Sequence, residues 1–377
     1  MEKLKNFVKS NRIVYGVYFF VMSAMISILK LFVRPDNKLI LFVSYGGRRY
    51  ADSPRVMYET MLKDPRFQDY KLVWAFTDPE KHAVAEKIKI DTFKYFKIAL
   101  KARCWITNVM VERALNFKGK NTYYFFTTHG VLPKLDGLDA KGNFKSLAKA
   151  QYDCCIVSSE AEKSYADRIF AIDKSIVETV GFPKNDILVS HSEEYRNAIR
   201  NKLGIPPEKK AILYAPTFRE SNVFFEQFDL NIEQWKKELG NEYVLLYRAH
   251  PVVTSSKKQE DAFFIDVTKY EVVEDLMIAS DMLISDYSGI VFDYSIMHKP
   301  IVLWTYDYDE YQAKRGLYFD VREYLDYEED ENKLIHRIKN INEKENLERV
   351  IAFQQKYSTV AGGATDRCLD IIYKNIN

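Results

Sequence analysis

Residues 282–304 read MLISDYSGIVFDYSIMHKPIVLW. Met282–Ile284 is an apolar run, Ser285-Asp286-Tyr287-Ser288-Gly289 is small and polar, Ile290–Met297 has helical character, and Pro300 opens a second apolar run, Ile301–Trp304. That order predicts strand, turn, helix, strand: a parallel βαβ unit. The turn falls where a strand's carboxyl end meets a helix amino terminus. Free backbone N–H groups and the positive dipole end favour a phosphate there. An ordinary βα loop with a serine N-cap has the same composition, so this loop decides the fold and leaves its ligand open.

Three other stretches repeat the pattern. Ala211-Ile212-Leu213-Tyr214 runs into Ala215-Pro216-Thr217-Phe218-Arg219, Tyr243–Tyr247 into Arg248-Ala249-His250-Pro251, and Thr122–Thr127 into Thr128-His129-Gly130. Open α/β sheets bind ligands outside the carboxyl ends of their strands. A lone histidine at such an end is usually structural. Four ends that together carry two histidines and two arginines suggest a cleft for an anionic ligand.

Going outward from these strands, the whole chain alternates. Leu39–Val43, Tyr70–Phe76, Cys104–Thr107, Tyr123–Phe126 and Cys154–Val157 predict a first Rossmann-like half, and a second runs from Ala211 to about Trp304. The division expected is an N-terminal block 1–34, a domain 35–190, a linker 191–210 containing Pro206-Pro207, a domain 211–345, and helices 346–377 that pack back across both. The acidic run Tyr327–Glu331 reads as solvated surface. A length of 377 residues and 47% hydrophobic content suit two domains with substantial cores. A net charge of +2 argues against a general nucleic-acid binder. Cys104, Cys154, Cys155 and Cys368 form no C-x-x-C pair, so they read as core residues in a reducing compartment, and no zinc site or other metal is expected.

Ile13–Val33 is apolar apart from Ser23, Ser27 and Lys30, with Lys3, Lys5, Lys9 and Arg12 before it and Arg34 after. It is long enough for one membrane crossing. Basic residues at both ends give no orientation, and no small-residue cleavage site marks a signal peptide. The favoured reading is a helix lying in the cytoplasmic leaflet with its lysines on anionic headgroups. A single span, and a helix taken into a soluble core, are the alternatives.

A family resemblance runs from about Phe42 to about Asp320. Its landmarks are Tyr50-Ala51-Asp52-Ser53-Pro54-Arg55, Thr128-His129-Gly130 with Pro133-Lys134 and Gly137-Leu138-Asp139, Gly181-Phe182-Pro183-Lys184-Asn185-Asp186, Tyr214–Arg219, His250-Pro251, Ser285-Asp286-Tyr287-Ser288 with Asp293, and Arg315-Gly316 before Tyr318-Phe319-Asp320. In these residues the chain resembles the CDP-glycerol glycerophosphotransferases, the primases and polymerases of teichoic acids and related capsules. It departs from them at Thr128, where the family usually has Trp, and at Gly289, where it usually has a second Ser.

The resemblance implies a GT-B architecture, two Rossmann-like domains facing a cleft. It also implies transfer of an alditol phosphate from CDP-glycerol or CDP-ribitol to a lipid-linked saccharide or poly(alditol phosphate) acceptor at the cytoplasmic membrane face, with release of CMP and no cofactor. His129 is then the candidate base and His250 a donor to the diphosphate, although the two roles are interchangeable at this level. Thr217, Arg219, Ser285, Asp286, Ser288, Gly289 and Asp293 are candidates for the CDP-alditol, and Tyr50, Asp52, Arg55 and Lys134 for the acceptor. A glycosyltransferase using a UDP- or CMP-sugar would share the fold and the phosphate site. An inactive membrane-bound scaffold would have no use for two histidines at strand ends.

Overall fold

The computed structural model describes residues 12–113, 115, 117–130, 132–140, 151–217, 230–249 and 262–377. One sheet holds β1 (Asp36–Val43), β2 (Lys71–Phe76), β3 (Lys87–Lys89), β4 (Ala102–Thr107), β5 (Tyr123–Phe126), β6 (Cys154–Val157) and β7 (Val177–Thr179), in the order β3-β2-β1-β4-β5-β6-β7. The other holds β8 (Lys210–Tyr214), β9 (Tyr243–Tyr247), β10 (Phe264–Asp266), β11 (Met282–Ser285), β12 (Ile301–Trp304) and β13 (Asp326–Glu328), in the order β10-β9-β8-β11-β12-β13. All the pairings are parallel. Each half starts on a central strand, winds to one edge, and returns to the starting strand's other side. The points of reversal, β1/β4 and β8/β11, are where such sheets bind ligands. The architecture is α/β, two Rossmann-like domains in the GT-B arrangement.

The central strands read as unbroken apolar runs because helices cover both faces. β11 and β12 are buried throughout. One face of the first sheet, with Phe42, Trp74 and Ile106, packs against Cys368, Leu369 and Ile372 of the last helix, Ala364–Ile376. The other face, with Leu41, Val73 and Trp105, packs against Tyr15, Phe19 and Ile26 of the helix Arg12–Phe32.

That N-terminal helix is apolar all round. Tyr15, Phe19 and Ile26 form one stripe, at helical spacing, inside the first domain's core. Val17, Phe20, Met25, Ile28 and Leu31 form an exposed one. It is long and apolar enough to cross a membrane. The described part of block 1–34 is therefore packed as part of the first domain, because only one of its two apolar faces is left open.

The linker folds largely as the helix Glu193–Lys202, with Ile199 in the second domain's core and buried Arg200 donating to the Ala279 carbonyl at 2.9 Å. Part of the acidic run departs from the surface reading. Asp326–Glu328 is edge strand β13, Glu328 pairs with Arg337 at 2.6 Å, and Glu331 accepts from Trp235 Nε1 at 2.8 Å.

Candidate functional site between the two sheets

Both points of reversal are closed by the same device. In the first domain Asn108, just after β4, accepts the N–H of Tyr45, just after β1, at 2.8 Å. In the second, Asp286, just after β11, accepts the N–H of Thr217 at 2.9 Å and its hydroxyl at 2.7 Å. Ser285 is turned inward, its hydroxyl donating to the Ala215 carbonyl at 2.7 Å. Ser285 and Asp286 thus join the β8 and β11 loops. Ser288 and Gly289 are half-buried at the opening of the helix Ile290–Ser295. That helix is only six residues long, so its backbone N–H groups matter more than its dipole.

Across the cleft stands His129. The residues that place it sit in left-handed backbone: Tyr45 at φ 47°, Asp52 at 67° and Thr128 at 51°. Such conformations cost non-glycine residues about 1–3 kcal/mol and gather at functional sites. Gly130, at φ 71°, bears no such cost. The Tyr45 ring meets the imidazole edge-on at 6.3 Å, and its hydroxyl donates to Asp52 at 2.7 Å. His129 is solvent-exposed. Even so, the protein packed around it desolvates the ring and lowers its pKa, against the pull of Asp52 and helped by Lys184. The backbone of Asn108 pulls the pKa upward, a smaller influence than burial, Asp52 or Lys184.

The two loops meet. A Cβ built on Gly289 would lie 3.8 Å from the Leu132 carbonyl oxygen and 3.9 Å from that of Gly130. Beside them, Leu135 N–H donates to Gly316 at 3.0 Å and Tyr318 N–H to Pro133 at 2.8 Å, with Lys134 and Leu317 in an antiparallel bridge. Asp293 also reaches across. It accepts from Lys184 Nζ and from Asn185 Nδ2, both at 2.7 Å. Burial opposes the charge on Lys184, but Asp293, Asp52, Tyr45 and Glu274 outweigh it and hold the pKa well above its ordinary value.

The acceptor candidates are divided. Asp52 and Lys134 lie at the seam. The ring of Tyr50 packs on Trp74 at 5.0 Å and on Tyr58 at 6.2 Å, in an aromatic cluster. Arg55 stands 3.9 Å from Glu59, with its Nε buried and without a hydrogen-bond partner. Arg219 and His250 lie outside the described residues. Their neighbour Arg248 donates to the Tyr270 carbonyl at 2.7 Å, and burial, then Arg49, push its pKa down to about 10. Among the described residues no three His, Cys, Asp or Glu side chains are grouped to hold a metal.

Sequence reasoning missed Tyr45, Asn108, Lys184 and Glu274 as site residues. Asn108 and Tyr45 follow predicted strands, and Lys184 lies inside a quoted landmark. Glu274 carries no signal, since it reads as an ordinary first-turn helical glutamate.

The sequence pattern of the CDP-Glycerol:Poly(glycerophosphate) glycerophosphotransferases matches residues 25–374. The chain belongs to this family. This glycerophosphotransferase-family chain is 31% identical to a teichoic acid poly(glycerol phosphate) polymerase of Staphylococcus epidermidis over 93% of its own length, and it spans about half, 53%, of that relative. It is also 31% identical to the teichoic acid glycerol-phosphate transferase of Staphylococcus aureus, over 90% of this chain and 94% of that one. A solved structure of the wall teichoic acid polymerase TagF, soaked with CDPG, matches with a TM-score of 0.86 at 28% identity, covering 99% of this chain and 98% of that one.

Proposed function

We propose that the chain transfers an alditol phosphate from CDP-glycerol or CDP-ribitol to a hydroxyl of a lipid-linked saccharide or poly(alditol phosphate) acceptor, with release of CMP, at the cytoplasmic face of the membrane. The observation that carries this is the meeting of the His129 loop with the Ser288–Gly289 loop, in a chain of the glycerophosphotransferase family. It supports a proton acceptor on one side of the reacting phosphorus and backbone and hydroxyl donors on the other.

The acceptor hydroxyl attacks the phosphorus that bears the alditol. A new P–O bond forms, the P–O bond to CMP breaks, and CMP leaves with that electron pair. The hydroxyl proton passes to the unprotonated ring nitrogen of His129. A lowered pKa keeps the imidazole neutral at cell pH, as a base requires. Ser288, the Gly289 N–H, Arg219 and His250 hold the diphosphate. Thr217 and Asp286 shape the loop beneath it. Alignment and charge neutralisation supply most of the rate in such transfers. The exposed face of the helix Arg12–Phe32 lies in the leaflet, which keeps the cleft near a lipid-borne acceptor.

Incubation with CDP-glycerol, CDP-ribitol and UDP-sugars, each with a lipid-linked acceptor, tests the reading. CMP release with incorporation of alditol phosphate is expected. UDP release instead would make the chain a glycosyltransferase, and no release from any donor would leave the scaffold.

A further inference from the structure

We propose that Lys184 and Asp293 are positioning residues for the transfer: a buried ion pair that clasps the two domains and sets the gap between His129 and the Ser288–Gly289 loop. The inference rests on the reading of the cleft given above and goes beyond it: Asp293, a CDP-alditol candidate from its place in the sequence, has both carboxylate oxygens engaged by the first domain, so its role here is to position and not to bind.

The pair joins segments that are 109 residues apart. Lys184 belongs to the turn Pro183–Asn185 after β7, in the first domain, and Asp293 to the short helix that follows Ser288–Gly289, in the second. The side chains are 7% and 13% exposed. Asn185 bonds the second carboxylate oxygen, so both oxygens of Asp293 are held from the opposite domain. Asp293 lies four positions beyond Gly289, about one turn into the helix that Gly289 opens, so a clasp on it bears on where the Gly289 N–H stands.

On the other side the clasp continues toward the base. Lys184 N–H donates to Ser53 Oγ at 3.4 Å, and the neighbouring Asp52 holds the Tyr45 hydroxyl, whose ring abuts His129. One ammonium group therefore stands among Asp293, Asp52 and buried Glu274. With that charge gone, buried carboxylates face one another and the seam opens. Beside it, the hydrogen bonds of Leu135 to Gly316 and of Tyr318 to Pro133 run through the backbone, which no side-chain change removes, and the Tyr318 hydroxyl donates to Asp139 at 3.0 Å. In-line transfer needs the nucleophile, base and phosphorus aligned, and a displacement of about 1 Å can cost about 100-fold in rate.

The variants Lys184→Met and Asp293→Asn test the clasp. Asp293→Asn is nearly isosteric and leaves an oxygen for Lys184, so it guards against simple misfolding. Both should lower kcat, by about 100-fold for Lys184→Met, with CDP-donor affinity changed less than about threefold. The groups facing His129 are Lys184, Asp52, Asp136, Tyr45 and the Asn108 backbone. Removing the lysine charge should raise the acid limb of the pH–rate profile. Removing the Asp293 charge leaves Lys184 less compensated, and the limb should stay or fall. A merely structural pair would lower the folded fraction and move neither limb. Hydrogen exchange of the amides of 289–296 and 132–135 should quicken in both variants, and it reads the clasp even if no CDP-alditol is turned over. Lys184→Arg should restore most of the rate and the protection. Unchanged exchange in both variants, or kcat near wild type with the seam opened, overturns the proposal. Loss of turnover in the wild type with the exchange result intact would sink the alditol reading alone.

Discussion

His129 works as a base only while its acceptor nitrogen is free, and its surroundings favour that state. Crowding in the cleft and the Lys184 charge depress the imidazole pKa, and Asp52 opposes them. Activity should therefore persist to a pH below the ordinary histidine value of about 6.5 before the acid limb falls. His129→Ala should reduce transfer by roughly 100- to 10,000-fold while leaving donor binding near wild type. Single-turnover assays and calorimetry with CDP check the two halves of this statement, and near-normal turnover would reassign the residue. On the donor side, Ser288→Ala, Arg219→Ala and His250→Ala should each weaken CDP binding, the charged ones by roughly 1.5–3 kcal/mol. Unchanged CDP affinity in all three would remove the donor site from this wall of the cleft. The histidine and the Ser288 loop were legible because strand ends and small polar turns leave a local pattern. Lys184 and Glu274 were not, because a lysine in a turn and a glutamate in a helix look the same whether buried or solvated.

Among the elements, the N-terminal helix departs most from its sequence reading. Its composition suggested a block apart from the domains, lying in the leaflet, yet composition cannot say how many apolar faces a domain will cover. Tyr15, Phe19 and Ile26 close one face of the first sheet. Loss of a buried Phe side chain alone costs about 3–5 kcal/mol. Removing residues 1–34 should therefore give a destabilised, aggregating chain, seen as a lowered Tm and poor recovery. Polar substitutions on the open stripe, such as Val17→Ser, Phe20→Ser, Met25→Gln and Ile28→Ser together, should release the protein from anionic vesicles with little change in Tm. A truncated chain that melts like the full one, or a stripe variant that still sediments with vesicles, would refute this division of faces. The strands tell a similar story. The nine inner or longer ones were readable as apolar runs, whereas β3, β7, β10 and β13 are three-residue edge strands with too few apolar positions to show.

Over the whole molecule, buried carboxylates govern how stability follows pH. Burial pushes Glu112, Glu162 and Glu274 each up to about 7, despite hydrogen bonds to Glu112 from Tyr124 and to Glu162 from Ser158. Their unfolded value is near 4.3. A carboxyl whose folded pKa is raised contributes stability that is complete below the unfolded pKa and lost as pH rises through the folded one. Tm should thus fall as the pH is raised from about 5 to about 8. Glu162→Gln keeps an acceptor for Ser158 and removes the titration, so it should flatten that slope, as thermal scans across the range can show. A slope unchanged by this variant would place the pH dependence elsewhere.

By itself the sequence determined the two parallel sheets and the polar turns at their carboxyl ends. Strands buried on both faces must be apolar without interruption, and glycine, proline and hydroxyl residues must punctuate them, so each instruction is written over a few adjacent residues. The tertiary structure alone decided which face of the first helix is core, and that Ser285 and Asp286 tie loops together. It also decided that Asp293 answers to a lysine 109 residues away. Burying a charge is tolerable only beside a partner, and the partner's identity depends on where distant segments of the chain come to rest.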